Sequence, residues 1–214
     1  MFRIRNFAAA NLATLQRGLT LVELVISIAV IGVGVAGILL TLNVTSRNSA
    51  DPLLQKQALA IAEALLEEIE LMPVTFCDPD DAQASTATGA VVGLPGVGCT
   101  AAATVENLGP ETIGGVTENR FGGAASNSQF DNVSDYHGYN SAAEAPSGIK
   151  AITNGAAAVA GLAAYNASVA ITPTALGGIA AADSLRIAVT VTGPGNTVVI
   201  LEGFRTRYAP RAVP

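Results

Sequence analysis

Few residues in this sequence could do chemistry, and the most conspicuous is Glu23, near the start of a long apolar run. No basic residue stands beside it, and residues 24 to 42 carry no charge. A charged side chain at the centre of a membrane helix costs roughly 2.5–3.5 kcal/mol on insertion scales. Glu23 is therefore expected either to lie in the first turn of a helix, where a negative charge stabilises the dipole, or to pair with a cation supplied from elsewhere.

The two cysteines, Cys77 and Cys99, are the next candidates. An even count in a domain exported to an oxidising compartment favours a disulfide, with two unpaired thiols as the alternative. A metal site made of both cysteines and the single His137 is disfavoured, because a structural zinc usually has four ligands. His137 is assigned a structural role.

Two acidic runs could bind a cation. They are DPDD at residues 78 to 81, and FDNVSDYHGY, which contains Asp131 and Asp135. Neither has the EF-hand spacing, so no metal site is assigned; Asp131 and Asp135 stay calcium candidates, with solvated or turn-capping acids as the default interpretation. The sequence also lacks the common hydrolase, zinc-protease and P-loop motifs, so we predict neither an enzyme nor a cofactor.

Composition limits the class of protein further. The chain has 214 residues, half of them hydrophobic but only 5% aromatic, and it contains 22 glycines. These values suggest one loop-rich domain with an extension. The formal charge of -6 and the lack of a basic patch argue against binding to nucleic acid.

The N-terminal part is basic and then apolar. Residues 1 to 18 hold three arginines and no acid, and residues 24 to 42 would span about 28 Å as a helix, which is close to the hydrocarbon thickness of a bilayer. A secretory signal usually has a shorter apolar stretch, and a plain signal anchor gives no reason for Glu23. Cleavage after Gly18 would instead create an amino group at Leu19, four residues from that carboxylate.

Small and polar residues interrupt the apolar run. Ser27 and Thr41 can bond back to the helix backbone. Residues 32 to 37, GVGVAG, formally match a dinucleotide-binding fingerprint but lie inside a continuous apolar segment, with no strand before them. We assign these glycines to close helix packing.

The following residues, 43 to 72, continue a helical pattern. Pro52 is expected at a kink or a helix restart with Asp51 as a candidate cap, and Pro73 ends the run. Apolar residues recur at steps of three and four, which predicts one buried helix face. This face consists of Leu54, Ala58, Ile61, Leu65, Ile69 and Met72.

Alternating apolar residues predict a sheet near the C-terminus. The runs lie at residues 163 to 172 and 184 to 192, and GPGN at 193 to 196 is a turn before a further strand. Together they predict an antiparallel hairpin with one buried face. Residues 73 to 160 are expected to be a long glycine-rich connection with short pieces of structure.

RGLTLVEL, which precedes the apolar helix, resembles the cleavage motif of type IV prepilins and pseudopilins. The resemblance implies that a prepilin peptidase cuts after Gly18 and methylates the new terminus at Leu19. It also implies that Glu23, fifth in the mature chain, acts in subunit assembly. The sequence departs from the family in three ways: a leucine replaces the commoner phenylalanine, the leader is longer than in many pilins, and the mid-helix proline is missing.

The resemblance implies a domain organisation and an α+β fold of the type IV pilin kind, in which a long helix packs on an antiparallel sheet. Residues 1 to 18 would be a cleaved leader and residues 19 to 72 the spine helix, with its transmembrane half at 24 to 42. Residues 73 to 214 would form a periplasmic or extracellular globular domain.

Two later stretches, DPLLQKQALAIAEALLEEI and FDNVSDYHGY, resemble the minor pilin D family of the mannose-sensitive haemagglutinin (MSHA) pilus. The implied function is a minor pilin, held in the inner membrane before assembly and on the cell surface afterwards. Its partners would be other pilin subunits, prepilin peptidase and the inner-membrane assembly platform. The alternatives are a type II secretion pseudopilin, or a membrane-anchored extracytoplasmic binding domain or enzyme.

Overall fold

One long helix and two antiparallel sheets make up the fold of the described residues. The structure, a computed structural model, describes residues 20 to 125 and 128 to 208, with only the backbone of residues 43 to 51. The elements are helix α1 (Leu21–Glu70) and strands β1 (Thr112–Ile113), β2 (Val116–Thr117), β3 (Asn166–Pro173), β4 (Ser184–Gly193) and β5 (Thr197–Thr206). The predicted α+β class is confirmed.

Helix α1 continues through Pro52, where the sequence suggested a kink or a restart. The side chain of Asp51, the candidate cap, lies outside the described part of the chain. The chain nevertheless divides close by, between Asn48 and Ser49, into two compact units. The C-terminal part of α1 therefore belongs to the same unit as the sheet.

The larger sheet has the strand order β3-β4-β5, with both neighbouring pairs antiparallel. The register places Val169 opposite Val189, and Val189 opposite Leu201. The connection between β4 and β5 contains two residues with left-handed backbone, Gly195 at a φ of 67° and Asn196 at 59°. Glycine and asparagine tolerate this conformation best, which explains why the turn falls where GPGN predicted it.

The core of this unit lies between α1 and one face of the sheet. The predicted helix face is buried at its four central positions, while Leu54 and Met72 pack at its margin. The alternating residues predicted for β3 and β4 are buried as well. The main contributors are Ala58, Ile61, Ala62, Leu65, Leu66 and Ile69 from the helix, and Ala167, Val169, Ile171, Leu185, Ile187, Val189 and Val191 from the strands.

Strand β5 lies close to the helix at Gly203. A Cβ atom added there would lie 3.0 Å from Cδ1 of Leu66 and closer still to the carboxylate of Glu70. Because real Cβ atoms need more room than this, glycine at position 203 lets the strand approach α1.

The long connection between α1 and β3 contains only short elements in its described part, as predicted. They are the β1–β2 pair and the 3₁₀ turns Ala102–Thr104, Ser134–Tyr136 and Ser141–Ala143. A buried ion pair joins this connection to the helix. Arg120 donates to Glu68 from Nε at 2.7 Å and from Nη2 at 2.6 Å, and the hydroxyl of Tyr136 donates to the same carboxylate at 2.9 Å.

We predict that Arg120→Leu destabilises the globular unit by about 3 kcal/mol, because it leaves the Glu68 carboxylate without its cation. This is the lower end of the range for a broken buried pair, since the Glu68 side chain is 16% exposed. Thermal unfolding of the full chain in detergent, followed by circular dichroism, measures the change.

The matched control is Arg186→Leu, which breaks the Arg186–Glu202 pair on the sheet. Both partners are at least 40% exposed, so a change within about 1 kcal/mol is expected. Equal destabilisation by the two substitutions would contradict the role given to the buried pair.

Candidate functional site

The start of α1 is the first candidate site. Gly18 and Leu19, the predicted cleavage pair, lie outside the described residues, which begin at Thr20. The Thr20 hydroxyl accepts a hydrogen bond from the backbone N–H of Glu23 at 3.2 Å, and its carbonyl oxygen accepts from that of Leu24. Thr20 is thus the N-cap of the helix. Thr20 and Glu23 have the T-x-x-E spacing of a capping box, a sequence signal from which this cap could have been predicted.

Glu23 lies in the first turn of α1, where its negative charge interacts favourably with the helix dipole. It is exposed, and the ion pairs within the described part of the chain do not include it. Its position therefore fits both expectations: it lies in the first turn of the helix, and it is accessible to a cation from another subunit.

The apolar surface around Glu23 is uncovered. Every residue from 20 to 42 is exposed, and the stretch Leu21–Leu42 is long and apolar enough to cross a membrane. As predicted, the hydroxyls of Ser27 and Thr41 donate to backbone carbonyls four residues earlier, at 2.7 and 2.6 Å. An apolar surface of this size is stable only when lipid hydrocarbon or other apolar helices cover it.

Cys77 and Cys99 form a disulfide with a Cα–Cα distance of 5.5 Å. The bridge is fully buried in a small second core with Ala84 and Ala87. Asp81 closes the same loop: it accepts hydrogen bonds from the backbone and hydroxyl of Thr100, at 2.9 and 2.6 Å, and from the hydroxyl of Thr104. Although burial opposes ionisation, these hydrogen bonds lower the pKa of Asp81, so it is a turn-capping acid.

The other calcium candidates, Asp131 and Asp135, lie together in a loop before β3. Oδ2 of Asp135 accepts from the backbone N–H of Asp131 at 3.0 Å and of Asn132 at 2.7 Å. Burial and neighbouring acids raise the pKa of Asp131 to about 7 and that of Asp135 to about 6. His137, two residues further on, accepts a hydrogen bond at Nδ1 from the backbone of Ile171 at 3.1 Å, which is a structural contact.

A pocket of about 430 Å³ opens between α1 and the loops within the globular unit. Its lining is mostly apolar, and its charged groups already have partners: Glu68 with Arg120, and Lys150 with Glu144 at 3.3 Å. These charges hold the wall of the pocket together.

Comparison with known proteins is informative for the N-terminal segment. Residues 14 to 39 match the family model described as the prokaryotic N-terminal methylation motif. The match spans the predicted cleavage pair, Glu23 and most of the apolar part of α1. It supports a type IV pilin or pseudopilin precursor, and the α+β fold is consistent with a type IV pilin-like architecture.

No curated protein and no solved structure significantly matches the chain.

We predict that mass mapping under non-reducing conditions recovers one linked peptide pair containing Cys77 and Cys99. Reduction should destabilise the domain by about 3 kcal/mol in the chain-entropy model, because the bridge closes a loop of 22 residues. Alkylation of both thiols in protein from its native compartment, without prior reduction, would contradict this prediction.

Proposed function

We propose that this chain is the precursor of a minor pilin that enters or initiates a type IV pilus of the MSHA kind. The methylation motif at residues 14 to 39, which leads directly into an uncovered apolar helix, carries the assignment to the pilin and pseudopilin class. The choice of a minor pilin of the MSHA kind rests on the resemblance of DPLLQKQALAIAEALLEEI and FDNVSDYHGY to the minor pilin D family. Prepilin peptidase would cut after Gly18 and methylate Leu19. The other partners would be pilin subunits and the inner-membrane assembly platform.

The membrane arrangement follows from charge and length. Leu21–Leu42 would span about 33 Å as a helix, enough for a bilayer core of about 30 Å. The arginines before this segment favour a cytoplasmic N-terminus by the positive-inside rule. The globular unit is then periplasmic before assembly and at the cell surface in the pilus, an oxidising setting that suits the disulfide.

Glu23 would act when subunits meet. In a bundle of apolar helices from several subunits, its carboxylate can pair with the Leu19 ammonium of a neighbour. Such a pair adds little net stability but specifies register, because a partner left alone stays buried and charged.

The second candidate is a pseudopilin of a type II secretion system, because the methylation motif is common to both classes. Deletion of the gene separates the two. Loss or shortening of surface pili with normal protein secretion supports the minor pilin, whereas accumulation of exoproteins in the periplasm with intact pili supports the pseudopilin.

We predict that the mature chain begins at methylated Leu19, which mass spectrometry of the N-terminal peptide detects. Gly18→Glu should leave the full-length precursor in the membrane, because a bulky charged residue replaces the glycine at the cut. Gln16→Glu is the matched control: it introduces the same side chain two residues earlier and should be processed. Normal processing of Gly18→Glu would overturn the proposed class.

We predict that Glu23→Val is processed and inserted but depleted from filaments. The change makes the helix more apolar, so insertion should not suffer. The neighbouring Leu19 ammonium, however, loses its counter-charge, at a cost of roughly 3–5 kcal/mol when it is buried.

Immunoblots of sheared filaments and of membranes, at matched expression, measure this depletion. Ser27→Val is the control, because it removes a polar group one turn away and keeps the carboxylate. If Glu23→Val enters filaments as well as the wild type does, Glu23 is only a helix-terminus residue.

A further inference from the structure

Seven carboxylates from separate loops meet in the globular unit, outside the features that the proposed function uses. Three of them have oxygens within 4.8 Å of one another in one group, and three more in a second group. Glu118 interacts electrostatically with members of both groups. This acidic cluster consists of Asp78, Asp80 and Asp131 (the first triad), Glu106, Glu111 and Asp135 (the second triad), and Glu118.

The backbone holds one oxygen of several of these carboxylates. Oδ1 of Asp78 accepts from the N–H of Asp80 at 2.6 Å, and Oε1 of Glu111 accepts from that of Asn107 at 3.0 Å. Oδ2 of Asp135 accepts two such bonds, as described above. Each side chain is thereby fixed in orientation, as the ligands of metal sites are.

Five other oxygens of the cluster have no hydrogen-bond partner among the described residues. They are Oδ2 of Asp78, Oε2 of Glu111, Oδ1 of Asp135 and both carboxylate oxygens of Glu118. These side chains are buried, with 1% of Asp78 and Asp135 exposed and 4% of Glu118. Buried carboxylate oxygens without a donor are costly, so this arrangement needs a positive charge or shared protons.

A basic side chain does not supply the charge within the described part of the chain. The four ion pairs between described residues use the acids Glu68, Glu144, Asp183 and Glu202, all outside the acidic cluster. Burial, together with the negative charge of neighbouring acids such as Asp78 and Asp135, raises the pKa of Glu111 to about 8 and that of Glu118 to about 9. Without a bound cation, Glu111 and Glu118 therefore hold protons at neutral pH, and a cation that binds to the cluster would displace them.

The chemistry of the donors selects the ion. Every candidate donor is a carboxylate oxygen, the nearby His137 is hydrogen-bonded to the β3 backbone, and Cys77 is in the disulfide. All-oxygen sites suit hard cations, and separations of up to 4.8 Å fit two bonds of about 2.4 Å, the length preferred by calcium. Magnesium requires shorter bonds and usually keeps several waters.

We propose that the acidic cluster is a calcium-binding site, in which the two triads and Glu118 hold the ion or ions and tie the loops together. The first triad includes the exposed Asp80 and gives a path from solvent. This proposal does not depend on the proposed function, because it rests on the globular unit alone.

The test is calcium titration of the purified full chain in detergent, after removal of divalent cations with a chelator. We expect heat of binding by isothermal titration calorimetry, and a rise in unfolding temperature of roughly 5–10 °C at a calcium concentration 100 times the Kd. Magnesium at the same concentration should give a much smaller rise. No binding of calcium, or an equal response to magnesium, would overturn the proposal.

Two isosteric variants test whether calcium binds at the acidic cluster. Glu118→Gln and Asp135→Asn each replace a buried carboxyl group by an amide of the same shape, so both should fold at least as well as the wild type in chelator. Both should lose at least about tenfold in calcium affinity. Glu67→Gln, on the exposed face of α1, changes the net charge equally and should leave affinity unchanged. A calcium response retained in full by both cluster variants would mean that calcium binds elsewhere, and would overturn the proposal.

Discussion

The packing of α1 against one face of the β3–β4–β5 sheet is the interaction on which the globular unit depends. A three-stranded sheet has two faces, and here the helix covers the one that carries the alternating valines, leucines and isoleucines of β3 and β4. The loops attach to this frame, through the Glu68–Arg120 pair on the helix and through hydrogen bonds from β3 to His137 and Tyr139. The helix and the sheet therefore anchor the long connection at Arg120 and next to the loop that holds Asp131 and Asp135.

The helix, the sheet and the turn between β4 and β5 could be predicted because each depends on local periodicity or on one turn sequence. The acidic cluster could not. The sequence indicated Asp131 and Asp135, but Glu106, Glu111 and Glu118 have no motif, and only the course of the long connection brings them together. DPDD shows the same limit: Asp81 is a satisfied cap with a lowered pKa, whereas Asp78, three residues earlier, has an unpartnered buried oxygen. Neighbours in the sequence can thus have opposite environments in the fold.

Two different carboxylate environments occur in one chain. Glu23 is exposed on an apolar helix, whereas Asp78, Glu111, Glu118 and Asp135 of the cluster are buried among polar loops. In both places the carboxylates lack a basic partner among the described residues. An unpaired carboxylate is costly in an apolar or buried environment, which is the reason for proposing a partner from outside the chain. For Glu23 the proposed partner is the terminus of another subunit; for the cluster it is a divalent cation. The first would link chains, and the second would stiffen one chain.

The glycines in the apolar part of α1 could be substituted without harm to the single chain. A Cβ atom added at Gly32, Gly34 or Gly37 would meet no described atom within 4 Å, apart from the adjacent backbone of the helix itself. An alanine at any of these positions would even favour the helix, by about 1 kcal/mol. The isolated subunit therefore gives no steric reason to keep glycine there, and selection for close contact with other helices would act on these positions only in the assembled state. Folding assays on the single chain would not detect such selection.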